Sequence, residues 1–529
     1  NSVDEIEFSD LILAMGTNTT ENHPVIGSKV KRAVRKHGAG LIVIDPRKID
    51  LTRFADIWLC PKPGTDVAVI NGLMNVIVSE DLQAKRYIKE RTEGFDLMKK
   101  TIEKYAPEFV EEISGIPAED LRSAARMYAA ADRASVLYAM GVTQHTTGTD
   151  NVKSLANLCM LCGNVGIERA GINPLRGQSN VQGACDVGAL PNVYPGYQQV
   201  ASAEARTRFE KAWGVSLSDK PGRTIVEITE AAYKGDIRGL YIMGENPVLS
   251  DPDLKHVKEA YKKLDILVVQ DIFLSETAQM ADVVLPSACF AEKDGTFTNT
   301  ERRVQRIRKA VSPPGEAKAD WKIISEIANR MEYSMKYNSP GEIMDEMRQV
   351  TDSYAGITYE RIETEGIQWP CPNTDHPGTK YLHKDRFTRG RGLFHAIDYR
   401  PAAELPEDKY PLFLTTGRVL YHYHTGTMTR RAKGPTERYP ESLVEINHRD
   451  AERYGIEEGD TIKVSTKRGS VKAKARVTSR SSEGTIFMNF HFREAAVNLL
   501  TNPALDPVGK IPEFKVCAAR VERVQPDAA

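Results

Sequence analysis

Two short runs decide the fold: DLILAMGTN at residues 10–18 and GLIVIDPR at residues 40–47. Each holds an apolar stretch without polar alternation, the pattern of a strand buried on both faces. Each stops abruptly, the first in Gly16-Thr17-Asn18 and the second in Asp45-Pro46-Arg47. Between them, residues 25–36 have a helical composition with charged residues on one face. Strand, helix, strand at this spacing is a β-α-β unit, which makes the sheet parallel. Residues 55–60 read as a third strand, followed by the turn Pro63-Gly64-Thr65-Asp66 and a helix for which Asp66 serves as N-cap.

The theme recurs downstream. Residues 117–131 predict a helix, with Pro117 in its first turn, Glu119 and Asp120 at its positive end, and Leu121, Ala124, Ala125 and Tyr128 on one face. Residues 135–140 predict a strand that runs into Met140-Gly141-Val142-Thr143-Gln144, and residues 151–161 a further helix. Residues 239–243 predict a strand ending in Gly244-Glu245-Asn246-Pro247. A helix at 253–263, a strand at 265–270 ending at Asp271 and Ile272, and a strand at 282–285 follow. AMGTN…VIDPR and IMGEN…VVQDIF thus share one layout, a strand ending in Gly-x-Asn and a later strand ending near Asp. This weak duplication predicts two related nucleotide-binding halves. Ligands of open α/β sheets sit beyond the C-terminal strand ends. Glycine there lets backbone amides approach a pyrophosphate, and Asp45 and Asp271 have the acceptors for guanine or ribose. The spacing is not G-x-G-x-x-G, so no nicotinamide site is indicated. A single Gly-x-Asn is an ordinary strand-ending turn; the second copy tips the reading.

From residue 410 the character changes. Residues 411–415 predict a strand followed by Thr416-Gly417-Arg418. Residues 461–464 and 471–477 alternate strictly about a Lys-Arg-Gly turn, a β-hairpin pattern. The C-terminal part therefore reads as an all-β barrel, and residues 338–394, rich in Pro, Gly and Tyr with little period, as an irregular connector. The expected fold is α/β, with two dinucleotide-binding-like domains on parallel sheets (residues 1–178 and 179–288). A segment at 289–334, a connector at 335–395 and a barrel at 396–529 complete it.

The 71 basic and 72 acidic residues leave a formal net charge of −1, which implies no nucleic-acid partner. No apolar run approaches the roughly 20 residues of a membrane helix. Seven scattered cysteines argue against a disulfide framework and for a reducing, cytoplasmic setting. The chain opens at Asn1 without a signal segment, so it reads as processed or as the later part of a longer protein. Cys159 and Cys162 form a lone C-x-x-C inside a predicted helix, with no second pair for zinc, and read as structural. His422 and His424 alternate on a predicted strand and share a face, a spacing that alone would allow a metal pair.

The most informative loop is GINPLRGQSNVQGACDVGALP at residues 171–191, where one arginine stands among amides and glycines. Long polar loops of this kind usually carry function. The stretch from Asn173 to Pro191 closely resembles the active-site loop of formate dehydrogenase alpha subunits, molybdenum or tungsten enzymes of the DMSO reductase superfamily. The likeness extends along nearly the whole chain. It implies oxidation of formate to carbon dioxide, or the reverse reaction, with Arg176 beside the metal and two molybdopterin guanine dinucleotides as cofactors.

The same resemblance implies cofactor contacts from Gly16, Asn18, Ile44, Asp45, Pro46, Arg47, Gly64, Thr65 and Asp66 in the first half, with Met140, Gly141, Gln144 and Gln178. In the second half it implies Gly244, Asn246, Gln270, Asp271, Ile272 and Asp282, and in the barrel Thr416, Arg418, His422, His424, Asn498 and Lys515. It casts the barrel as a double-psi type that covers both dinucleotides, DGTFTNTERRV at residues 294–304 as a segment facing a cluster domain, and Cys185 as a residue lining the loop. Family members carry a 4Fe-4S motif and a Cys or selenocysteine metal ligand upstream of the matching region. The resemblance therefore implies that this chain is a C-terminal portion, with no metal ligand of its own, inactive alone, and served by iron–sulfur or diaphorase-type electron-transfer subunits. The rival readings are a nitrate reductase of the same superfamily and a pterin-free iron–sulfur relay subunit of an NADH dehydrogenase.

Overall fold

The structure, a computed structural model, describes residues 1–525. The chain forms two compact units. The first comprises Asn1–Gly177, Ser250–Leu254 and the chain from Tyr381 onward; the second comprises Gln178–Leu249 and Lys255–Lys380.

In the first unit the two quoted runs become β1 (Leu11–Met15) and β2 (Gly40–Ile44), joined by α1 (Pro24–His37). With β3 (Ile57–Leu59), β4 (Ala134–Tyr138) and β5 (Gly171–Pro174) they make a parallel sheet in the order β3-β2-β1-β4-β5. β1 and β4 are buried along their full lengths. Leu11, Leu13, Met15, Ile42 and Ile44 pack on one side against α2 (Asp66–Ser79), α3 (Ala118–Ala129) and α4 (Gly148–Leu161). The alternate residues Ile12, Ala14, Leu41 and Val43 pack on the other side with Ile26, Val30 and Ala33 of α1. A strand covered on both faces needs apolar residues at every position, which is why these runs lack alternation.

The second unit repeats the beginning of this arrangement. β6 (Gly239–Met243), β7 (Ile266–Asp271) and β8 (Val283–Pro286) form a parallel sheet in the order β8-β7-β6. The correspondence reaches single bonds. Gly16 (φ 56°) donates its N–H to the carbonyl of Ile44 at 3.0 Å; Gly244 (φ 63°) donates to that of Gln270 at 2.8 Å. The expected duplication is therefore present in the backbone. The unit also holds an antiparallel sheet of β9 (Gly295–Thr298), β10 (Arg303–Ile307) and β11 (Ile367–Gln368).

The C-terminal part of the first unit is a closed six-stranded barrel. Its strands are β12 (Leu412–Gly417), β13 (Leu443–Ile446), β14 (Thr461–Ser465), β15 (Ser470–Val477), β16 (Thr485–Asn489) and β17 (Cys517–Arg523). The cyclic order is β12-β16-β13-β15-β14-β17. The expected hairpin is β14 against β15, antiparallel.

The structure corrects several local expectations. Asp66 is not an N-cap: Thr65 holds that position, and Asp66 opens the helix. The loop at residues 171–191 contains strand β5 and a short helix α5 (Val181–Asp186). Both are too brief to show a period, and Pro174 is tolerated because β5 is an edge strand. The connector holds a helix, α6 (Pro340–Val350), with proline at its start and Ser339 accepting from the N–H of Glu342 at 3.4 Å. His422 lies in irregular chain and His424 in a turn, neither on a strand, and His424 has φ 48°. They share no strand face.

Gly16 and Gly141 touch backbone to backbone. Gly141 donates its N–H to the carbonyl of Gly16 at 3.1 Å. A Cβ on Gly16 would lie 2.8 Å from the carbonyl carbon of Gly141, and one on Gly141 would fall onto the Gly16 carbonyl oxygen. Gly38, the left-handed C-cap of α1, has nothing within 4 Å of an added Cβ. Gly141→Ala should therefore destabilise the first unit by about 2 kcal/mol or more. Gly38→Ala should cost only about 1 kcal/mol of left-handed strain. Thermal unfolding of the two variants side by side checks the order.

Candidate functional site

A cleft opens beyond the C-terminal ends of β1, β2 and β4. Its floor is Gly16, Asn18, the Ile44–Arg47 turn, Gly64, Asp66, Met140, Gly141 and Gln144, and the barrel contributes Thr416, Arg418 and Lys515. These are most of the residues singled out in this unit from the sequence. The structure adds Asn22, His23, His145, Thr415, Phe487 and Phe490, which sequence reasoning missed. Two of the misses had a signal: His145 follows Gln144 directly, and His23 ends the turn that begins with Gly16-Thr17-Asn18.

The polar groups of the cleft are not matched internally. Both side-chain polar atoms of Asn18, Asn22 Oδ1, His23 Nδ1 and His145 Nδ1 are buried with no hydrogen-bond partner among the described residues. His23 donates through Nε2–H to the Arg176 carbonyl at 2.8 Å, and His145 likewise to the Gly141 carbonyl at 2.8 Å. His23 thereby turns an unprotonated Nδ1 elsewhere. Burial holds the His23 imidazole below its ordinary range, which keeps it neutral.

The cations fall into two classes. Arg47 is fully engaged: Nε and Nη2 donate to Glu445 Oε2 at 3.2 and 2.7 Å, and the guanidinium lies 3.4 Å over the Phe487 ring. Arg418 donates from Nη1 to the Gly177 carbonyl at 2.6 Å, and Lys515 to the Thr416 carbonyl at 2.6 Å. Neither has a carboxylate within ion-pairing distance among the described residues. Burial, reinforced by Arg418, pushes the Lys515 amine down to about 7, and burial likewise lowers Arg418. Burial pushes the Asp45 carboxyl up to about 6, against the Arg47 N–H that it accepts at 2.9 Å. Asp66 is raised too, by burial, with His145 Nε2 at 3.9 Å opposing.

Other expected residues stand elsewhere. Thr65 donates its hydroxyl to the Lys62 carbonyl, and Asn498 its amide to the Ser250 carbonyl at 2.9 Å. His422 donates through Nε2–H to the Tyr439 carbonyl at 2.7 Å and accepts from Thr429 at Nδ1. His491, which the sequence did not flag, accepts the Val419 N–H at Nε2 and donates from Nδ1 to the His424 carbonyl. None of these lines the cleft, and no group of three or more metal-ligating side chains occurs among the described residues.

In the second unit, Asp271 accepts the Ile272 N–H at 2.6 Å, as Asp45 accepts that of Arg47. Asn246 accepts from the Thr277 hydroxyl at 2.7 Å and donates to Glu276 at 2.9 Å. Gln270 is held between Tyr241 and Asp320, and Asp282 accepts the Leu267 N–H at 2.7 Å. Gln178 precedes α5 and accepts the Val181 N–H at 3.5 Å.

Glycine turns, buried unmatched amides and unpaired cations make a cradle for an extended anionic ligand with a polar base. The comparisons with known proteins say which. A family model described as molybdopterin oxidoreductase matches residues 1–330, and one for the molydopterin dinucleotide binding domain matches residues 412–518. The chain belongs to the molybdopterin oxidoreductase family. It is 54% identical to the F420-dependent formate dehydrogenase subunit alpha of Methanocaldococcus jannaschii over 99% of its own length and 78% of that protein's. It is 43% identical to formate dehydrogenase H of Escherichia coli over 99% and 74%. Acetylene hydratase from Pelobacter acetylenicus shares the fold, with a TM-score of 0.75 at 21% identity over 99% of this chain and 81% of that one.

The residues present fit a pterin dinucleotide. Arg418 and Lys515 suit a pyrophosphate, as do the close glycine turns. Asn18, Asn22 and the carboxyls of Asp45 and Asp66 suit the amide edge of a base. No helix among the described residues is long and apolar enough to cross a membrane.

Lys515 sets a pH test. Its folded value near 7 lies below the ordinary value of about 10.4. Between those values the unfolded chain binds the extra proton, so ligand-free stability should rise as pH rises from about 7 to 10. Lys515→Met should lose that rise and be the more stable variant near pH 7, because a half-buried unpaired cation is gone. Chemical denaturation at pH 6, 8 and 10 checks both.

Proposed function

We propose that this chain carries the cofactor cradle and substrate arginine of a formate dehydrogenase, with two molybdopterin guanine dinucleotides on a molybdenum or tungsten centre. The observation that carries the reading is the seat of Arg176. Its carbonyl is gripped by His23, Gly177 follows it into the cleft wall, and His23 and Gly177 both line the cleft. The formate dehydrogenase names of the relatives at 54% and 43% identity support it.

Formate has one carboxylate and one C–H bond. Oxidation breaks the C–H bond and releases carbon dioxide, a proton and two electrons. When bound, the metal–pterin group accepts the two electrons; that chemistry is the cofactor's own. The chain's part is to hold the anion. A guanidinium presents a planar fork to two carboxylate oxygens and stays charged at any working pH. The loop is kept in register from both sides, since Leu175 donates its N–H to the Tyr138 carbonyl at 2.8 Å and Arg418 holds the carbonyl of Gly177. Neutral His23 adds no competing cation beside the carboxylate. Electrons leave through a 4Fe-4S cluster to electron-transfer subunits. Seven free thiols support a cytoplasmic setting. A pterin-free relay subunit would have no use for half-buried unpaired cations such as Lys515 and Arg418, and this speaks against that rival.

Two measurements test the reading. The holoenzyme should release about two GMP equivalents per metal, as a bis-dinucleotide centre requires; a ratio near zero would favour the relay subunit. Arg176→Ala should lower kcat/KM for formate by a factor on the order of a hundred or more, with metal and nucleotide content unchanged. Arg176→Lys keeps the charge but not the fork, and should fall between the two. Full turnover in Arg176→Ala would refute the substrate role.

A further inference from the structure

Outside the cleft, the second unit buries one carboxylate completely. Asp186, the last residue of α5, is 0% exposed. Its four partners are all neutral donors. Oδ1 accepts from Gln182 Nε2 and the Tyr197 hydroxyl, both at 2.8 Å, and Oδ2 accepts from Trp369 Nε1 at 2.7 Å and the Tyr354 hydroxyl at 2.5 Å. No cation stands within ion-pairing distance of it among the described residues. Burial and the neighbouring Asp186 together push the Tyr354 phenol far above its ordinary range, so it remains a donor. The donors come from α5 itself, the stretch just after it, and two distant loops, so one carboxyl gathers segments nearly two hundred residues apart.

The start of the same short segment is tied down independently. Asn180 adopts a left-handed conformation with φ 60°, and its Oδ1 accepts the Thr298 N–H of β9 at 2.9 Å. That side chain lies against Gly183, where a Cβ would collide with it. The segment is thus pinned within the second unit at Asn180 and at Asp186, with Gln178 two residues ahead of the first clamp. A six-residue helix has too few internal bonds to hold itself. The clamps must do it.

We propose that Asp186 is a positioning residue for formate turnover: it fixes α5 and, through it, the Gln178 turn that stands one residue beyond the substrate arginine and Gly177 in sequence. The inference rests on the formate dehydrogenase reading and adds a residue that touches neither substrate nor cofactor. Trp369 Nε1–H is an obligate donor, so Oδ2 must accept. An asparagine that turns its oxygen to Trp369 sets its NH2 against the Gln182 amide and the Tyr197 hydroxyl, which must give up their bonds and reorient to accept.

The test uses the holoenzyme with Asp186→Asn, Tyr354→Phe and Trp369→Phe. Asp186→Asn should raise KM for formate by about tenfold and change kcat by less than about threefold, a split expected when ground-state and transition-state binding fall together. Metal and nucleotide content should stay at wild-type levels. Amide hydrogen exchange across residues 178–186 should quicken by about tenfold or more, while α2 is unaffected. Tyr354→Phe and Trp369→Phe each remove one donor and leave the carboxyl, so each should move KM and exchange in the same direction by a smaller factor. Unchanged KM and unchanged exchange in a correctly loaded Asp186→Asn enzyme would overturn the proposal. If Asp186→Asn does not fold, the two phenylalanine variants decide it by the same readouts, and no change in either overturns it. Exchange is read without substrate. A failure of the formate reading, seen as a wild-type enzyme without formate turnover, is therefore distinct from a failure of the clamp.

Discussion

The backbone contact between Gly16 and Gly141 sits where the rest of the first unit converges. Two parallel strands end side by side, and their turns approach until one amide meets the other's carbonyl. Any side chain at either position would push the turns apart. With Gly16 also bonded to the end of β2, three strand ends are locked together. The turns that leave them, Asn18 to His23, Asp45 to Arg47 and Met140 to His145, then fan out as the walls of one cleft. Sheet topology places the cleft; two missing side chains make it deep enough to use.

The barrel supplies what the sheet cannot. Its strand β12 ends at Gly417, and the next residue, Arg418, enters the cleft. Lys515 comes from the segment just before β17. Arg47 runs the other way, from the sheet into the barrel, where Glu445 and the Phe487 ring take it. A paired buried arginine joins two layers; unpaired buried cations are costly unless an anion arrives. The ligand-free fold therefore carries an electrostatic debt in the cleft, and an anionic dinucleotide that binds only the folded state stabilises it by mass action.

Where this was legible in the sequence follows from length and period. The runs that form β1 and β2 announced themselves, because strands covered on both faces tolerate nothing polar. The duplicated Gly-x-Asn turn was readable for a backbone reason: a left-handed residue at a strand end calls for glycine, and it does so at Gly16 and at Gly244. Helix α5 and strand β5 were hidden, since so few residues carry no period. The histidines of the barrel misled for a related reason. Alternation at 422 and 424 imitates a strand, but Gly426 and the left-handed His424 turn the chain before a ladder forms. The surroundings of Lys515 were not readable, because a lone lysine in sequence does not disclose them. Asp186 was invisible, because its four donors are scattered from residue 182 to residue 369.

The two halves use one backbone device for different ends. In the first, Asn18 leaves both polar atoms buried and unmatched, so the turn after β1 is complete only with something beyond the protein's own groups. In the second, the equivalent Asn246 is bonded to Thr277 and Glu276, and the Gln270 amide at the end of β7 is taken up by Tyr241 and Asp320. Main-chain geometry is the same to within a few tenths of an ångström at the glycine bond, 3.0 against 2.8 Å. What differs is which side-chain atoms remain open. The two turns therefore share one backbone bond at a strand end, while the side chains around them differ. An equivalent position in two repeats shares its main-chain turn, and the local hydrogen bonds decide which side-chain atoms stay open there.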